Sequence, residues 1–418
     1  MNFKSHALSL AKIIEETKPL WSCEVMNEFP QSIEDYQTKW LEELGQCTDD
    51  ELFDFDCKRN VDKLSQSTLE EFLKPVRELC QLEEFSPDPV SLPLAPLENW
   101  AYQGVKKKKR HEIDRMAPAI KSTFQHLQCK RVVDIGGGVG HLARILAHYY
   151  QMPTTSIDQN LDFQNIGKHR LQKFRKLPGA SEVTFINATL DLEDKTQILA
   201  QEINHEAFLL GLHTCGALAN TLIRSAEKFK SSALFNFGCC YYRMNPETDL
   251  WQSDFYKNGL FPKLNLYGLT LATRSHAEDD RSTFDTKIRV KMYRNALHLF
   301  LLEKYNNKHE TDVGECPIQV YWQPFSQYVS MKLKELNIEH QFSQLDFEEF
   351  YSRSDIQQTL RKMVLCNLIR WQLGRALEIY ILLDRALFLE EHQYQVSVKT
   401  YFKESLSPRN IGILAIKK

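Results

Sequence analysis

The sequence predicts an α/β fold: an open, mostly parallel sheet closed by a C-terminal antiparallel hairpin. A helical region precedes the sheet, and a helical insertion lies between strands five and six. Three observations lead there. Between residues 130 and 239, short β-branched runs alternate with helical segments. Strands separated by helices of this length connect as right-handed βαβ units and therefore pair in parallel. One strand, ending in an acid, runs straight into four glycines and then a helix. Finally, the last thirty residues return to strand, with VSVKTYF and IGILAIKK flanking the turn residues of SLSPRN, the pattern of a hairpin.

Residues 1–84 read as a helical region. In ALSLAKIIEETKPLW the apolar residues recur at three- and four-residue steps, which marks one buried helix face. FPQSIEDYQTKWLEELG and STLEEFLKPVRELCQL follow, with Gln31-Ser32 as a start, Gly45 as a stop and Ser67 or Thr68 as a cap. Residues 85–100 hold Pro87, Pro89, Pro93 and Pro96; proline blocks helix propagation, so this stretch reads as a linker and domain boundary. Residues 101–418 then form the second domain. Its strands are KRVVDI, TTSID, EVTFINA, AFLLGL and SALFNFG, each followed by a helix or loop. The insertion at about 255–390 is helical, with DIQQTLRKMVLCNLIRWQLGRALEIYILLDRALFLEE reading as one long helix. Arg370, Trp371 and Arg375 lie within it and read as a packed helix face.

Apolar residues make up 43% of the 418 and charged residues 26%, which suits a globular chain and excludes wholesale disorder. The net charge of −3 restricts any nucleic-acid contact to a local patch. Ten cysteines are scattered without C-x-x-C spacing, which favours reduced thiols and a cytoplasmic or nuclear setting. The first residues lack the apolar core of a signal peptide. The most apolar helical stretch is interrupted by Asp384 and Arg385, so no membrane span is expected.

The run VVDIGGGVGHLAR carries the sharpest chemistry. A dinucleotide fingerprint starting at Gly136 requires glycine at 141, where His141 stands, and no Gly-Lys-Ser/Thr phosphate loop is present. What remains is Asp134-x-Gly136-x-Gly138-x-Gly140, which resembles motif I of Rossmann-like S-adenosylmethionine-dependent methyltransferases. In that class the glycine turn lies under the methionine moiety. Asp158 ends the second strand, where a carboxylate suits the ribose hydroxyls as a double acceptor. Asn187 ends the third strand, near where the adenine would lie.

Ligands of open parallel sheets bind at the carboxyl ends of strands. GLHTCGALA and GCCYYRM fall there. The Asx-Pro-Pro-aromatic tetrad of enzymes that methylate planar nitrogens is absent; His213-Thr214-Cys215-Gly216 stands in its place. His213 is the candidate base, or else a strand-end histidine bonded to backbone. Cys239 and Cys240 are adjacent, too close for an ordinary disulfide. With Cys215 they form a nucleophile pair, a metal site, or a small buried wall in which Tyr241 closes over the acceptor. No ligand pair has finger-like spacing, so no metal is expected.

The stretches KKKKRHEIDRM, VVDIGGGVGHLAR, GLHTCGALA, GCCYYRM and SPRNIGILAIKK together resemble the methyltransferase-like protein twenty-five family, with its relatives named for a ribosomal RNA adenine dimethylase domain. The cysteine pair also resembles, locally, a eukaryotic tRNA 2′-O-methyltransferase family. The resemblance implies a Rossmann-like methyltransferase sheet, S-adenosylmethionine as cofactor, and cofactor contacts at Asp134, Gly136, Gly138 and Gly140. Two positions depart from the family pattern: Ala217, where many relatives carry an acid, and Tyr242, where histidine is frequent. The acceptor is RNA in preference to protein, met by Lys106–Arg110 and by the basic helix Lys168–Lys176. The rival reading is a non-catalytic module that binds RNA or a protein partner. No oligomeric state follows from the sequence.

Overall fold

The computed structural model describes residues 2–59, 61–86, 97, 99–127, 129–174, 182–191, 193, 195, 197–274, 280–307 and 311–418. Its sheet comprises β1 (Arg131–Ile135), β2 (Thr154–Asp158), β3 (Val183–Asn187), β4 (Ala207–Cys215), β5 (Ala233–Cys239), β6 (Tyr394–Thr400) and β7 (Ile411–Lys417). The order is β3-β2-β1-β4-β5-β7-β6. The first five strands pair in parallel, and β7 runs antiparallel to both β5 and β6. The expected sheet and terminal hairpin are therefore present.

Four helices frame the site: α1 (Lys107–Gln125), α2 (His141–Tyr150), α3 (Leu161–Phe174) and α4 (Leu218–Lys228). A fifth, α5 (Gly374–Glu391), precedes the hairpin. Strands β1, β4 and β5 are buried on both faces, as a parallel sheet covered on both sides requires. One core joins Ile113 and Ile120 of α1 and Leu146 of α2 to Phe208, Phe235 and Phe237.

Two compact units divide the chain, and they interleave along it. One, built from residues 1–12, 79–273 and 376–418, holds the sheet. The other, built from 13–78 and 274–375, is helical. Within the second, Glu24 lies 2.9 Å from Lys291 and 3.2 Å from Arg370. Burial pushes the Glu24 carboxyl up, but these two cations outweigh it and hold it down at about 2. Arg370 is thus part of a buried ion pair. The prolines of the expected linker lie outside the described residues; just before them, the Phe85 N–H donates to the Thr400 carbonyl at 2.8 Å.

Three expectations need correction. The long helix at 355–391 is two, Ser354–Trp371 and Gly374–Glu391, because Gln372 and Leu373 form a turn ahead of Gly374. A further N-terminal helix, Asp49–Cys57, begins with a capping box between Thr48 and Glu51 that the apolar periodicity did not reveal. Helix α3 starts at Leu161, seven residues before the basic stretch that begins at Lys168. Among the described residues no helix is long and apolar enough to cross a membrane.

The hairpin is fastened to the sheet's cover by Tyr394. Its hydroxyl donates to the carbonyls of Ala226 and Ser231, at 2.8 and 2.9 Å, where α4 ends. Tyr394→Phe should lower unfolding stability by about 1–2 kcal/mol in urea titration, the net worth of a buried hydrogen bond plus a poorly satisfied acceptor. No measurable change would show that this anchor is not holding the hairpin.

Candidate active site at the strand tips

The glycine turn is shaped by backbone conformation. Gly136, Gly138 and Gly140 have φ of +72°, +59° and +66°, a left-handed region that residues with a Cβ occupy at a cost of about 1–2 kcal/mol. This accounts for glycine at every second position. Gly137 has a different reason: a Cβ there would lie within 2.3 Å of the Ser156 hydroxyl. The turn is pinned to β2. The N–H groups of Gly136 and Gly137 donate to the Ile157 carbonyl, and the Gly138 N–H donates to Asp158 Oδ2 at 2.9 Å. A Cβ on Gly138 would meet nothing within 4 Å, so the turn faces open space at that point.

A cleft of about 740 Å³ opens over this turn, walled by Gly136, Asp158, Phe163, His213, Cys215 and Arg243. A smaller cleft of about 240 Å³ shares Gly136 and His213 and is lined also by Lys109 and Asp134. The larger cleft is of the size that holds a cofactor-sized ligand. Asp158 Oδ1 accepts from the Asn160 N–H at 2.8 Å, so both carboxylate oxygens are anchored by backbone. Each keeps a second lone pair for hydroxyl donors. Asp134 is buried, and burial pushes its carboxyl up to about 7, with Asp158 adding to the rise against Lys109. Asn187 is exposed and donates to the Asp158 carbonyl at 3.0 Å; its neighbour Ala188 lines the cleft.

His213 stands at the end of β4 with φ +66°, where the β4–β5 register shifts between Leu212 and Thr214. Its Nε2 lies 2.8 Å from Glu112 Oε1. Glu112, on α1, is completely buried and also accepts from the Ser407 hydroxyl at 2.7 Å. Burial pushes the Glu112 carboxyl up, but the bond and charge of His213, with Lys109, outweigh it and hold it down at about 2. An ionised Glu112 demands a proton on Nε2 and leaves the His213 Nδ1 lone pair available. Glu112 was not singled out from the sequence. Its signal was there: an acid three and four residues after Lys109 and Lys108, the spacing of helical ion pairs, which they form at 3.0 and 3.9 Å.

His141, the first residue of α2, was likewise missed. Its ring nitrogens face Arg144 at 2.8 Å and Arg170 at 3.2 Å. Burial, then those two guanidiniums, push its pKa down to about 3.

The structure brings Cys215, Cys239 and Cys240 together. Cys215 Sγ lies 3.3 Å from Cys239 Sγ and 3.5 Å from Cys240 Sγ. The hydrogen bond from Cys239 lowers the Cys215 thiol, burial opposes this, and Cys240, Arg243 and His213 add to the fall, to about 6. The partners Cys239 and Cys240 move upward. Tyr241 does not close over the cleft. It is fully buried, with its hydroxyl 3.4 Å from the Gly238 carbonyl and from Glu378. The cause is Cys240, whose φ of +51° turns the chain so that Tyr241 points inward. Tyr242, 39% exposed, takes the outer position, and the Arg243 Nε donates to its hydroxyl at 3.2 Å.

With this geometry in view, comparison with known proteins is informative. Residues 108–247 match the family model described as a methyltransferase domain. A curated protein of Mus musculus, named probable methyltransferase-like protein 25, is 24% identical over 283 residues. That match covers 64% of this chain and 46% of the mouse protein, so the chain spans under half the length of this relative. Among solved structures, the methyltransferase domain of a bacterial CtHen1 is 11% identical, with a TM-score of 0.30, covering 75% of this chain and 100% of the other. The plantazolicin methyltransferase BamL is 12% identical, with a TM-score of 0.29, covering 76% and 88%. Neither is close enough to bear on the chemistry. The match to a methyltransferase domain over 108–247 spans the glycine turn, Glu112, His213 and the three thiols.

Proposed function

We propose that the protein is an S-adenosylmethionine-dependent methyltransferase that acts on RNA in the cytoplasm. One observation carries the reading: a pinned glycine turn and a carboxylate-oriented histidine are shared by two adjoining clefts, one lined by Asp158 and the other by Asp134. Asp158 would hold the ribose hydroxyls, and Gly136–Gly140 would let the donor approach the backbone. The buried Asp134 would face the positive charge of the amino-acid end. Bound there, the donor supplies an electrophilic methyl group.

The chain's own residues then position the acceptor and exclude water. His213 Nδ1 accepts the acceptor's proton, while Glu112 holds the ring in the required tautomer and steadies its positive form. RNA is favoured by the charge at the rim. Lys106, Lys107 and Lys108 are exposed at the start of α1, where cations oppose the helix dipole and so are not placed for helix stability. Arg243 beside the Tyr242 ring offers a surface on which a base can stack. Part of the basic run is already committed, since Lys108 and Lys109 pair with Glu112 and Arg110 with Asp114. In the second basic stretch Lys168 is exposed, and the segment from Arg175 onward lies outside the described residues.

Labelled methyl donor supplied with total RNA and, separately, with soluble protein tests this directly. Label should enter RNA. His213→Ala should cut incorporation by about 10²–10⁴-fold, the usual worth of a general base, while donor binding persists. Charge reversal at Lys106 and Lys107 should cut it about tenfold or more at physiological salt. Label in protein alone would overturn the acceptor, and label in neither would overturn the activity.

The raised pKa of Asp134 gives a second test. A carboxyl held above its ordinary value stabilises the fold fully below about pH 4, and that contribution is lost as pH rises through about 7. A cationic donor favours the ionised form. Donor affinity should therefore strengthen, by up to about tenfold, between pH 6 and pH 8. Asp134→Asn should abolish that dependence in calorimetric titrations. An equal pH dependence in the variant would remove Asp134 from the donor site.

A further inference from the structure

The three thiols at the tips of β4 and β5 are assembled in a way that packing alone does not require. Neighbouring residues of an extended strand point to opposite faces, so Cys239 and Cys240 would ordinarily be separated by the sheet. Cys240 instead has φ +51°, which turns its side chain back toward Cys239. On β4, the register shift at His213 places Cys215 directly opposite Cys239. Without that one-residue shift Cys215 would fall out of phase with its partner. Two backbone departures at residues that carry a Cβ thus converge on one point. The three sulfur atoms lie within 4.8 Å of one another, and no other such grouping of possible ligands occurs among the described residues.

We propose that Cys215, Cys239 and Cys240 form a three-thiolate site for zinc. Three sulfurs about 2.3 Å from a tetrahedral zinc lie about 3.8 Å apart. The spacings of 3.3 and 3.5 Å reach that value by small side-chain rotations. Sulfur ligands select a soft or borderline ion over magnesium or calcium. Cys239 is almost fully buried, while Cys215 and Cys240 are partly exposed and Cys215 lines the cleft. Zinc there has three protein ligands and a fourth position open to the cleft, the arrangement of catalytic sites. On coordination all three ligands are thiolates, and whichever thiols are still protonated give their protons to solvent. On the methyl-transfer reading, on which this last step rests, the fourth position takes the acceptor's own oxygen, nitrogen or sulfur atom and lowers its proton affinity. The absence of finger-like spacing was the reason to expect no metal, and that rule does not see ligands brought together from two strands.

The test is metal content and metal binding on the full-length chain, purified under reducing conditions without chelator. About one zinc per chain is expected by elemental analysis. After removal of the metal, cadmium should produce a thiolate charge-transfer band that saturates at about one equivalent. Cys215→Ser and Cys240→Ser should each weaken metal affinity by about tenfold or more, and Cys23→Ser should leave it unchanged. Circular dichroism checks that each variant folds; should Cys239→Ser fail, the two partly exposed positions still decide. No stoichiometric zinc and no cadmium band would overturn the site, as would a Cys215–Cys239 disulfide that excludes metal. Calorimetry of the methyl donor on the same samples separates the two readings. Zinc without donor binding would sink methyl transfer and leave the metal site, and donor binding without zinc would do the reverse.

Discussion

Strand order reverses at β1: β2 and β3 lie on one side, β4 and β5 on the other. The loops leaving β1 and β4 must therefore run in opposite directions, and a crevice opens between them. Everything chemical in this unit sits on that crevice. The glycine turn leaves β1 on one lip, and His213 and Cys215 end β4 on the other. The turn keeps its shape because β2 supplies the acceptors for its N–H groups, the Ile157 carbonyl and the Asp158 carboxylate. Asp158 thus serves as backbone support first, and as a candidate ligand through the lone pairs left over.

Burial sorts the charged groups around the crevice. Glu112 is held ionised by His213 and Lys109, although it has no exposure to water. For Asp134, burial with the Asp158 charge outweighs Lys109, and the carboxyl shifts the opposite way. The two carboxyls are therefore poised for different tasks, one to orient a base and one to gain charge when a cation arrives. Three thiols share the same rim as the base, and their arrangement depends on left-handed residues at His213 and Cys240.

Much of this was legible in the sequence because the signals are local. Alternating periods mark the strands and helices, and glycines at 136, 138 and 140 mark a turn whose φ values demand them. The features that were not legible depend on partners far along the chain. Glu112 meets His213 across 101 residues and Ser407 across 295. Tyr241 and Tyr242 are indistinguishable as neighbours until the φ of Cys240 decides which turns inward. The helical insertion reads as one block, yet residues 274–375 pack with residues 13–78. Periodicity reports which face is buried and is silent on what buries it.

The central claim is that the Gly136–Gly140 turn binds a methyl donor. Calorimetric titration of S-adenosylmethionine into the purified protein, beside a Gly136→Arg variant, tests it most directly. A side chain at Gly136 must adopt φ +72° with its Cβ 3.3 Å from Leu218, at the wall of the cleft. Saturable binding by the natural chain that is lost in a folded variant is the expected result. Absence of binding in the natural chain, or equal binding in both, would contradict the account.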